Sequence, residues 1–288
     1  MSQISHIELV EQLSRNSRPY RDPLTRIDWE RFDHDSYWLP KTALSLHGVA
    51  AFAALPDERQ RALSQQEYLH VVSLHAWLKS LFIEKSRGVL TRPTANTALS
   101  RYRLHELREH AGHALMVFEL LKRNGSTPYH MPAARSRTLE FLTRLAAPES
   151  TVYQLLALMG TELPDRLHRI VRQHRAEICP AVYDMVNILV IDATRHITQA
   201  RDALEETRRR LSSKRLPWQR GAARFIFRRI VSLLFYPPAD VYERAGLKPG
   251  SDWLRAAASN VERRRFISNC IAPTRRLLAQ SGFEVDWQ

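Results

Sequence analysis

A short stretch, residues 105–113, holds the densest group of titratable side chains in the chain. It reads His105-Glu106-Leu-Arg-Glu109-His110-Ala-Gly-His113. On a helix, His110 and His113 are three positions apart and Glu109 and His113 are four apart, so the members of each pair share a face. Either pair could chelate one metal ion, and imidazole suits iron, zinc, copper or nickel. The alternative is that these histidines cap a polar edge of a helical bundle.

Lys79 is a second candidate for chemistry, because it interrupts an apolar helix face. The residues at helical spacing along that face are Leu69, Val72, Ala76, Lys79 and Ile83. Burial lowers the pKa of an amine, and a lysine with a lowered pKa can serve as a base.

The elements that must position these residues are predicted to be helices. Helical spacing and cap signals predict helices over residues 65–88, 98–122, 134–147, 149–175, 180–212, 219–236 and 252–281, and a short helix opened by Pro56. Pro164 predicts a kink or a restart within its helix. The helix that Pro180 opens is apolar nearly all round between Met185 and Ala193, which is typical of a central buried element. No alternating strand pattern of convincing length occurs, so the predicted fold class is all-α.

The composition fits one domain spanning residues 1–288. We expect an irregular N-terminal wrap over residues 1–64, a core bundle over 65–212 and a C-terminal helical extension over 213–288. Cys179 and Cys270 form neither a disulfide framework nor a zinc pattern, and they fit a reducing compartment. No secretion signal or membrane-spanning run is recognisable, so a cytoplasmic protein without membrane contact is expected. The net charge of +13 is interpreted as an arginine-rich solvated surface rather than a nucleic-acid site.

Short motifs spread along nearly the whole chain form an ordered set. They are Ile27-Asp-Trp29 with Gly48, Glu109-His-Ala-Gly-His113-Ala-Leu-Met116, Glu162 with Pro180, Val190-Ile-Asp-Ala-Thr-Arg-His196, Asp240-Val-Tyr242, Ala245-Gly-Leu247 and Ala258-Ser-Asn260. Together they resemble the p-aminobenzoate N-oxygenase (AurF-like) family of ferritin-like di-iron oxygenases. The resemblance implies a ferritin-like bundle, a small-molecule substrate, a role in natural-product biosynthesis and a homodimer.

The resemblance also implies metal-ligand positions on four helices, and several of them hold residues that cannot bind a metal. The first-helix glutamate falls on Lys79 if no gap intervenes, with His75 and Glu84 as other candidates. The remaining positions fall on His110, His113, Glu162, Leu189, Ala193 and His196. The ligand types kept are His113, Glu162 and His196. Because bridging carboxylates neutralise two neighbouring cations and histidine does not, a standard di-iron site is not expected.

Two altered sites remain open. His110, His113, Glu162 and His196 could form a mononuclear or otherwise non-standard site for iron, zinc or manganese. Alternatively, no metal is bound and Lys79 pairs with Glu162, Glu109 or Asp192. We therefore expect an oxygenase acting on an amine or another small biosynthetic intermediate. The alternatives are a metal-independent enzyme that uses Lys79, the histidines and Glu162 for acid–base chemistry, or a non-catalytic partner of an active paralogue.

Overall fold

The computed structural model describes residues 5–91, 97–210 and 216–287, and within them it is a helical bundle without strands. This confirms the all-α, ferritin-like prediction. The helices are α1 (His6–Ser17), α2 (Ala50–Ala53), α3 (Asp57–Thr91), α4 (Thr97–Arg123), α5 (Ala133–Leu145), α6 (Thr151–Gln173), α7 (Pro180–Arg209), α8 (Leu216–Phe235), α9 (Ala239–Arg244), α10 (Gly250–Ser259) and α11 (Val261–Gln280). None of these described helices is long and apolar enough to cross a membrane.

Four long helices form the centre of the molecule. α3 packs against α4, α6 packs against α7, and contacts between α3 and α6 and between α4 and α7 close the bundle. α7 is buried around Met185, Leu189 and Val190, as its apolar sequence predicts, although Ile191 is 45% exposed. α1 lies against α4 and α7, and α8 covers α6. The inner faces of α3, α4, α6 and α7 therefore surround one common space.

The helices differ from the sequence prediction by more than small shifts of their ends: α1 lies in the segment expected to be irregular, and α9 was not predicted. The short helix at Pro56 and the long one after it are a single helix, α3, which begins at Asp57. α6 does not restart at Pro164, which lies buried inside it. The helix predicted over 252–281 is instead two helices that meet at Asn260. Residues 92–96, within the predicted break before α4, lie outside the described residues.

The described part of the N-terminal wrap that precedes α3, residues 5–56, lies against the bundle through α1, short 3-10 turns and buried apolar side chains. Trp38, Leu44 and Leu46 are no more than 1% exposed. The Ser64 hydroxyl on α3 accepts hydrogen bonds from the backbone amides of Trp38 and Leu39, each at 2.8 Å. Because these backbone amides are satisfied by a side chain, an irregular segment can be buried without loss of hydrogen bonding.

Buried polar side chains join the N-terminal wrap to the end of the chain. The Ser45 amide donates to the Glu67 carboxylate at 3.1 Å, and the Ser45 hydroxyl lies 2.9 Å from the Tyr242 hydroxyl. Arg263, 5% exposed, donates to the carbonyl of Ala43 at 2.6 Å and to that of Phe235 at 2.7 Å. Tyr242 belongs to one of the C-terminal motifs, so that motif has a structural role.

Asn260 makes three hydrogen bonds at this junction, and its replacement tests the importance of the junction for stability. Its side chain donates to the carbonyls of Ser45 at 3.1 Å and His47 at 2.8 Å, and accepts from the Glu262 amide at 3.0 Å as the N-cap of α11. We expect Asn260→Ala to lower the free energy of unfolding by about 2–3 kcal/mol, since it removes a cap and leaves two carbonyls without donors. Urea unfolding measures this. A loss no larger than that of Ser251→Ala, at an exposed position, would contradict the assignment.

Candidate functional site

Five histidines meet in the space enclosed by the four central helices. This histidine cluster consists of His75 on α3, His110 and His113 on α4, His168 on α6 and His196 on α7, each at most 6% exposed. The ring centres of His110 and His196 are 4.7 Å apart, and both lie about 6 Å from that of His113. His75 lies 5.9 Å from His113 and 5.5 Å from His168. The structure therefore brings together His110, His113 and His196, as the sequence predicted.

Two of these rings are hydrogen-bonded to carboxylates. Nε2 of His113 lies 2.9 Å from Asp192 Oδ2, and Nε2 of His196 lies 2.7 Å from Glu109 Oε2. An ionised carboxylate only accepts, so Nε2 is the donor in both rings. A histidine oriented by a carboxylate in this way is typical of metal sites.

Arg195 joins the two carboxylates into one buried network. Its guanidinium lies 2.9 Å from Glu109 and 2.5 Å from Asp192. Burial opposes ionisation of Asp192, but the His113 hydrogen bond and the Arg195 charge lower its pKa to about 2. Burial likewise opposes ionisation of Glu109, and the His196 hydrogen bond holds its pKa below the usual value. Both carboxylates are therefore charged at neutral pH.

Glu106, His110 and His196 form the one group within the described ranges whose ligand atoms converge. One potential ligand atom from each lies within 4.8 Å of the other two. Nδ1 of His110 and Nδ1 of His196 have no hydrogen-bond partner. Burial lowers the pKa of His110 well below its usual value, and the charge of Lys79 lowers it further, so its imidazole is neutral. Two imidazoles and one carboxylate are a suitable donor set for a single divalent cation.

The structure gives Glu162 a different neighbour from the one predicted. Its buried carboxylate accepts from Nε of Arg166 at 2.8 Å, one turn along α6. It does not join the converging group, in which Glu106 supplies the carboxylate. At this level of α6 the residue facing Lys79 is Thr161, whose hydroxyl lies 3.4 Å from the lysine Nζ.

Lys79 is 1% exposed, and its charge contributes to the lowered pKa of His75, His110 and His113. Its predicted pairing with Glu162, Glu109 or Asp192 is not formed, because those carboxylates bind Arg166 and Arg195 instead. Burial lowers the pKa of Lys79 to about 8, although the charges of Glu106 and Asp192 oppose the decrease. Of the other candidates for its position, His75 is buried, whereas the Glu84 side chain is 58% exposed beside Arg144.

A carboxylate-bridged pair of metal ions does not fit these residues. Lys79 and His110 stand at two of the carboxylate positions that the resemblance implies. Leu189 and Ala193, at two further ligand positions, are buried apolar residues. An ammonium and a neutral ring cannot neutralise two adjacent cations. A single cation held by Glu106, His110 and His196 does fit, because the unpartnered Nδ1 atoms and the nearby carboxylate supply nitrogen and oxygen donors.

Two cavities lie beside this group and share part of their walls. The inner one, of about 20 Å³, is lined by Glu106, His110, Thr161 and His196 among others. The outer one, of about 910 Å³, opens between α4, α5, α6, α7 and α8 and has a mainly apolar wall. Both are lined by Arg103, Gln154 and Gln199. These three polar residues therefore separate a large apolar cavity from the candidate metal ligands.

Sequence reasoning missed Glu106, His168 and Arg195 as parts of the site. Glu106 carried a usable signal, because it precedes His110 by four positions and shares its helix face. Arg195 binds the two carboxylates that hydrogen-bond to His113 and His196, and its place in the sequence, beside His196, gave no sign of these contacts. His168 also carried a signal, because it follows Asp165 by three positions and shares its helix face.

Comparisons with known proteins agree with this architecture. Uncharacterised proteins of Mycobacterium tuberculosis and Mycobacterium bovis are 22% identical over 283 residues, covering 96% of this chain and 83% of theirs. An R2-like ligand-binding oxidase with an aerobically reconstituted metal cofactor superposes with a TM-score of 0.63 at 13% identity, covering 98% of this chain and 94% of that one. An R2-like ligand-binding oxidase without metal cofactor gives a TM-score of 0.58 at 14% identity, covering 98% of this chain and 97% of that one. At this identity the structural likeness shows the fold.

The family relationship is shown by the sequence. The model of the p-aminobenzoate N-oxygenase family matches residues 5–282, which is nearly the whole chain. The match includes all four central helices and both the N-terminal wrap and the C-terminal helices. The chain belongs to the p-aminobenzoate N-oxygenase family, whose members are homologous to ferritin-like di-iron oxygenases.

Proposed function

We propose that this protein binds one divalent metal ion, iron in the first instance, through Glu106, His110 and His196 and oxidises a small molecule beside it. The observation that carries the proposal is the convergence of one carboxylate and two imidazoles within 4.8 Å in the centre of an oxygenase-type bundle. Two histidines and one carboxylate form the facial donor set of non-haem iron(II) oxygenases, in which the iron supplies the activation of dioxygen.

The surrounding residues support this use of the site. Glu109 fixes the His196 ring by accepting from Nε2, which leaves Nδ1 available as a ligand atom. The bundle excludes bulk water, since His110 and His196 are 3% and 1% exposed. Carboxylates of this kind behind a ligand histidine change metal affinity or activity by about 10–100-fold when replaced. Glu109 is therefore a positioning residue in this proposal.

The outer cavity supplies a route for a small-molecule substrate. Its volume of about 910 Å³ exceeds that of one aromatic ring several times, and its wall is apolar along α5 and the start of α6. At its inner end the Gln199 amide, 7% exposed, makes no hydrogen bond within the described part of the chain. Arg103 has one carboxylate neighbour, Glu149, at 3.9 Å. A polar group of the substrate would meet these two side chains, with its apolar body in the outer cavity.

Metal content after anaerobic loading with ferrous iron tests the proposal, with two glutamate variants as a matched pair. We expect Glu106→Gln to lose bound iron and Glu162→Gln to keep it, because the Glu162 carboxylate is held by Arg166. His110→Ala should lose iron as well, and His130→Ala, at an exposed position, should not. Elemental analysis and isothermal titration measure the stoichiometry and the dissociation constant.

The opposite pattern would overturn the assignment. If Glu162→Gln loses iron and Glu106→Gln retains it, the ligands are those expected from the sequence, His110, His113, Glu162 and His196. If neither variant changes the iron content, the metal site proposed here does not exist.

A metal-free function is the second candidate, and the state of Lys79 favours it. The amine is buried, its pKa is lowered to about 8 by burial, and no carboxylate of the described residues lies within 4.0 Å of it. Such an amine is able to act as a base or nucleophile. Activity that survives complete metal removal and disappears in Lys79→Met would support this candidate over the oxygenase.

A homodimer is also proposed, in agreement with the resemblance noted from the sequence. α4 carries Leu104, Leu115 and Phe118 at spacings that share one helix face, and they are 40%, 50% and 60% exposed. Burial of such a stripe in a second copy would be favourable. Light scattering after size-exclusion chromatography measures the mass, and Phe118→Lys should shift it to that of one chain.

A further inference from the structure

Lys79 is a buried cation with few groups around it that stabilise a positive charge. Within the described part of the chain its Nζ lies 3.4 Å from the Thr161 hydroxyl and 5.7 Å from the centre of the Phe82 ring. The carboxylates predicted to pair with it bind arginines instead. An ammonium has three N–H donors, and a buried charge without close partners raises the free energy of the folded state. A reaction that removes the positive charge would therefore be favourable here.

The histidine one helical turn before Lys79 is suited to an anion. His75 is 6% exposed, and neither of its ring nitrogens has a hydrogen-bond partner among the described residues. After burial, the charge of Lys79 contributes most to the lowered pKa of His75, so the ring is neutral and close to the lysine. A neutral imidazole carries one N–H, and a buried donor without an acceptor costs free energy. A carboxylate at the end of Lys79 would accept from this ring.

The space beside Lys79 limits which electrophile its amine can attack. Burial lowers the pKa of the amine to about 8, so a large share of the molecules carries an uncharged, nucleophilic amine at mildly alkaline pH. The inner cavity of about 20 Å³ is lined by Thr161 and Phe82, the two side chains in contact with the amine. A single water needs about 10–15 Å³ of such space. The cavity therefore takes an electrophile little larger than water and excludes an organic aldehyde or ketone.

We propose that Lys79 reacts with carbon dioxide to form a buried carbamate. The lone pair of Nζ attacks the carbon, one C=O π bond becomes the C–O⁻ bond, and the nitrogen loses one proton. The reaction needs no oxidant or reductant. His75 is placed to take the proton, since it lies one turn away on α3 and both of its nitrogens are unpartnered.

The modification changes the charge of the site without adding a metal ion. A carbamate beside an imidazolium replaces a lone buried charge by a pair of opposite charges, which is less costly to bury. It also places a carboxylate at the position on α3 at which the family resemblance implies a glutamate. The inference goes beyond the proposed metal site, because the carbamate forms in metal-free protein.

Carbon-13 NMR of metal-free protein in buffer equilibrated with ¹³C-labelled carbon dioxide and bicarbonate tests the proposal. The N-terminal amine also reacts with carbon dioxide, and its resonance is common to all variants. We expect the wild-type chain to show one additional carbamate resonance, which Lys79→Met and Lys79→Gln lack. Lys122→Met, in which an exposed lysine is replaced, should retain it. Circular dichroism establishes that each variant is folded.

Urea unfolding supplies a second readout. Replacement of chloride by bicarbonate at constant ionic strength should raise the wild-type midpoint and leave that of Lys79→Met unchanged, because a reactant that adds preferentially to the folded state stabilises it. Identical carbamate resonances in wild type and Lys79→Met, or an equal response of both midpoints to bicarbonate, overturns the proposal.

Glu106→Gln separates this proposal from that of the metal site. The charge of Glu106 favours the ammonium form of Lys79, so its removal should leave the carbamate in place while iron is lost. A wild-type chain without the carbamate, together with loss of iron in Glu106→Gln, overturns the carbamate alone. A carbamate at Lys79, together with iron binding that Glu106→Gln does not change, overturns the metal site alone.

Discussion

Replacing Arg195 with methionine is expected to lower the free energy of unfolding by about 3–5 kcal/mol at pH 7. The guanidinium is the shared partner of Glu109 and Asp192, whose side chains are 3% and 10% exposed. Without it, two buried carboxylates keep only the hydrogen bonds to His196 and His113. Removal of one partner from a buried ionic network costs more than the pair contributes, because the remaining charges stay desolvated. Urea unfolding measures the loss.

Arg201→Met is the matched control on the same helix. Arg201 pairs with Glu205, but both side chains are more than 40% exposed, so we expect a change below about 0.5 kcal/mol. The difference between wild type and Arg195→Met should also shrink as the pH falls. Asp192 has a folded-state pKa of about 2, below its unfolded value, so its contribution is present above about pH 4 and is lost as the pH falls towards 2. Equal losses in the two arginine variants would contradict the buried network.

Replacing Lys79 with methionine is expected to stabilise the protein by about 3 kcal/mol at pH 7. Burial lowers the pKa of this lysine from 10.5 to about 8, which means that the folded state binds the proton less tightly than the unfolded chain does. At 1.36 kcal/mol for each pH unit, that difference corresponds to about 3 kcal/mol below pH 8. Methionine is similar in length and has no charge to bury, so the cost disappears.

The pH dependence distinguishes this effect from simple improvement of packing. A folded-state pKa below the unfolded value makes wild-type stability rise as the pH increases from about 8 towards 10.5. Lys79→Met should lack that rise, so its advantage should shrink across the same interval. Lys122→Met, at an exposed position on α4, is the control and should change neither quantity. An advantage for Lys79→Met that does not vary with pH would show that the lysine is not a buried ammonium.

Most of the fold could be predicted from the sequence, because apolar spacing and caps report burial and helix ends directly. α4 and α7 begin within one residue of their predicted starts. The break at Asn260 could not be predicted, since it depends on carbonyls of Ser45 and His47 more than two hundred residues away. Pro164 was expected to interrupt α6, and the buried packing of that helix against α7 outweighs the local cost of a proline.

The site could be predicted in part, for a geometric reason. Residues on one helix keep their spacing, so His110 and His113 were correctly expected to lie together, and the family motif brought in His196. Which side chains of two different helices face each other is harder to predict from a sequence. A shift of one position along a helix turns the side chain by about 100°, so a neighbouring residue can take the expected place. On α6, Thr161 rather than its neighbour Glu162 contacts Lys79, and the glutamate binds Arg166. The carboxylate of the converging group is instead that of Glu106 on α4.

The buried junction between the N-terminal wrap and the C-terminal helices has a consequence for folding kinetics. Ser45 contacts Tyr242 across 197 positions of sequence, and Ala43 accepts from Arg263 across 220. Contacts of such long range raise the contact order and form late, because loop closure must precede any gain from them. A chain grows from its N-terminus during synthesis, so the wrap is made early but meets its partners only after residue 263 has emerged. Until then Ala43 and Ser45 lack partners that they have in the folded protein, which makes a segment that is synthesised early one of the last to be completed.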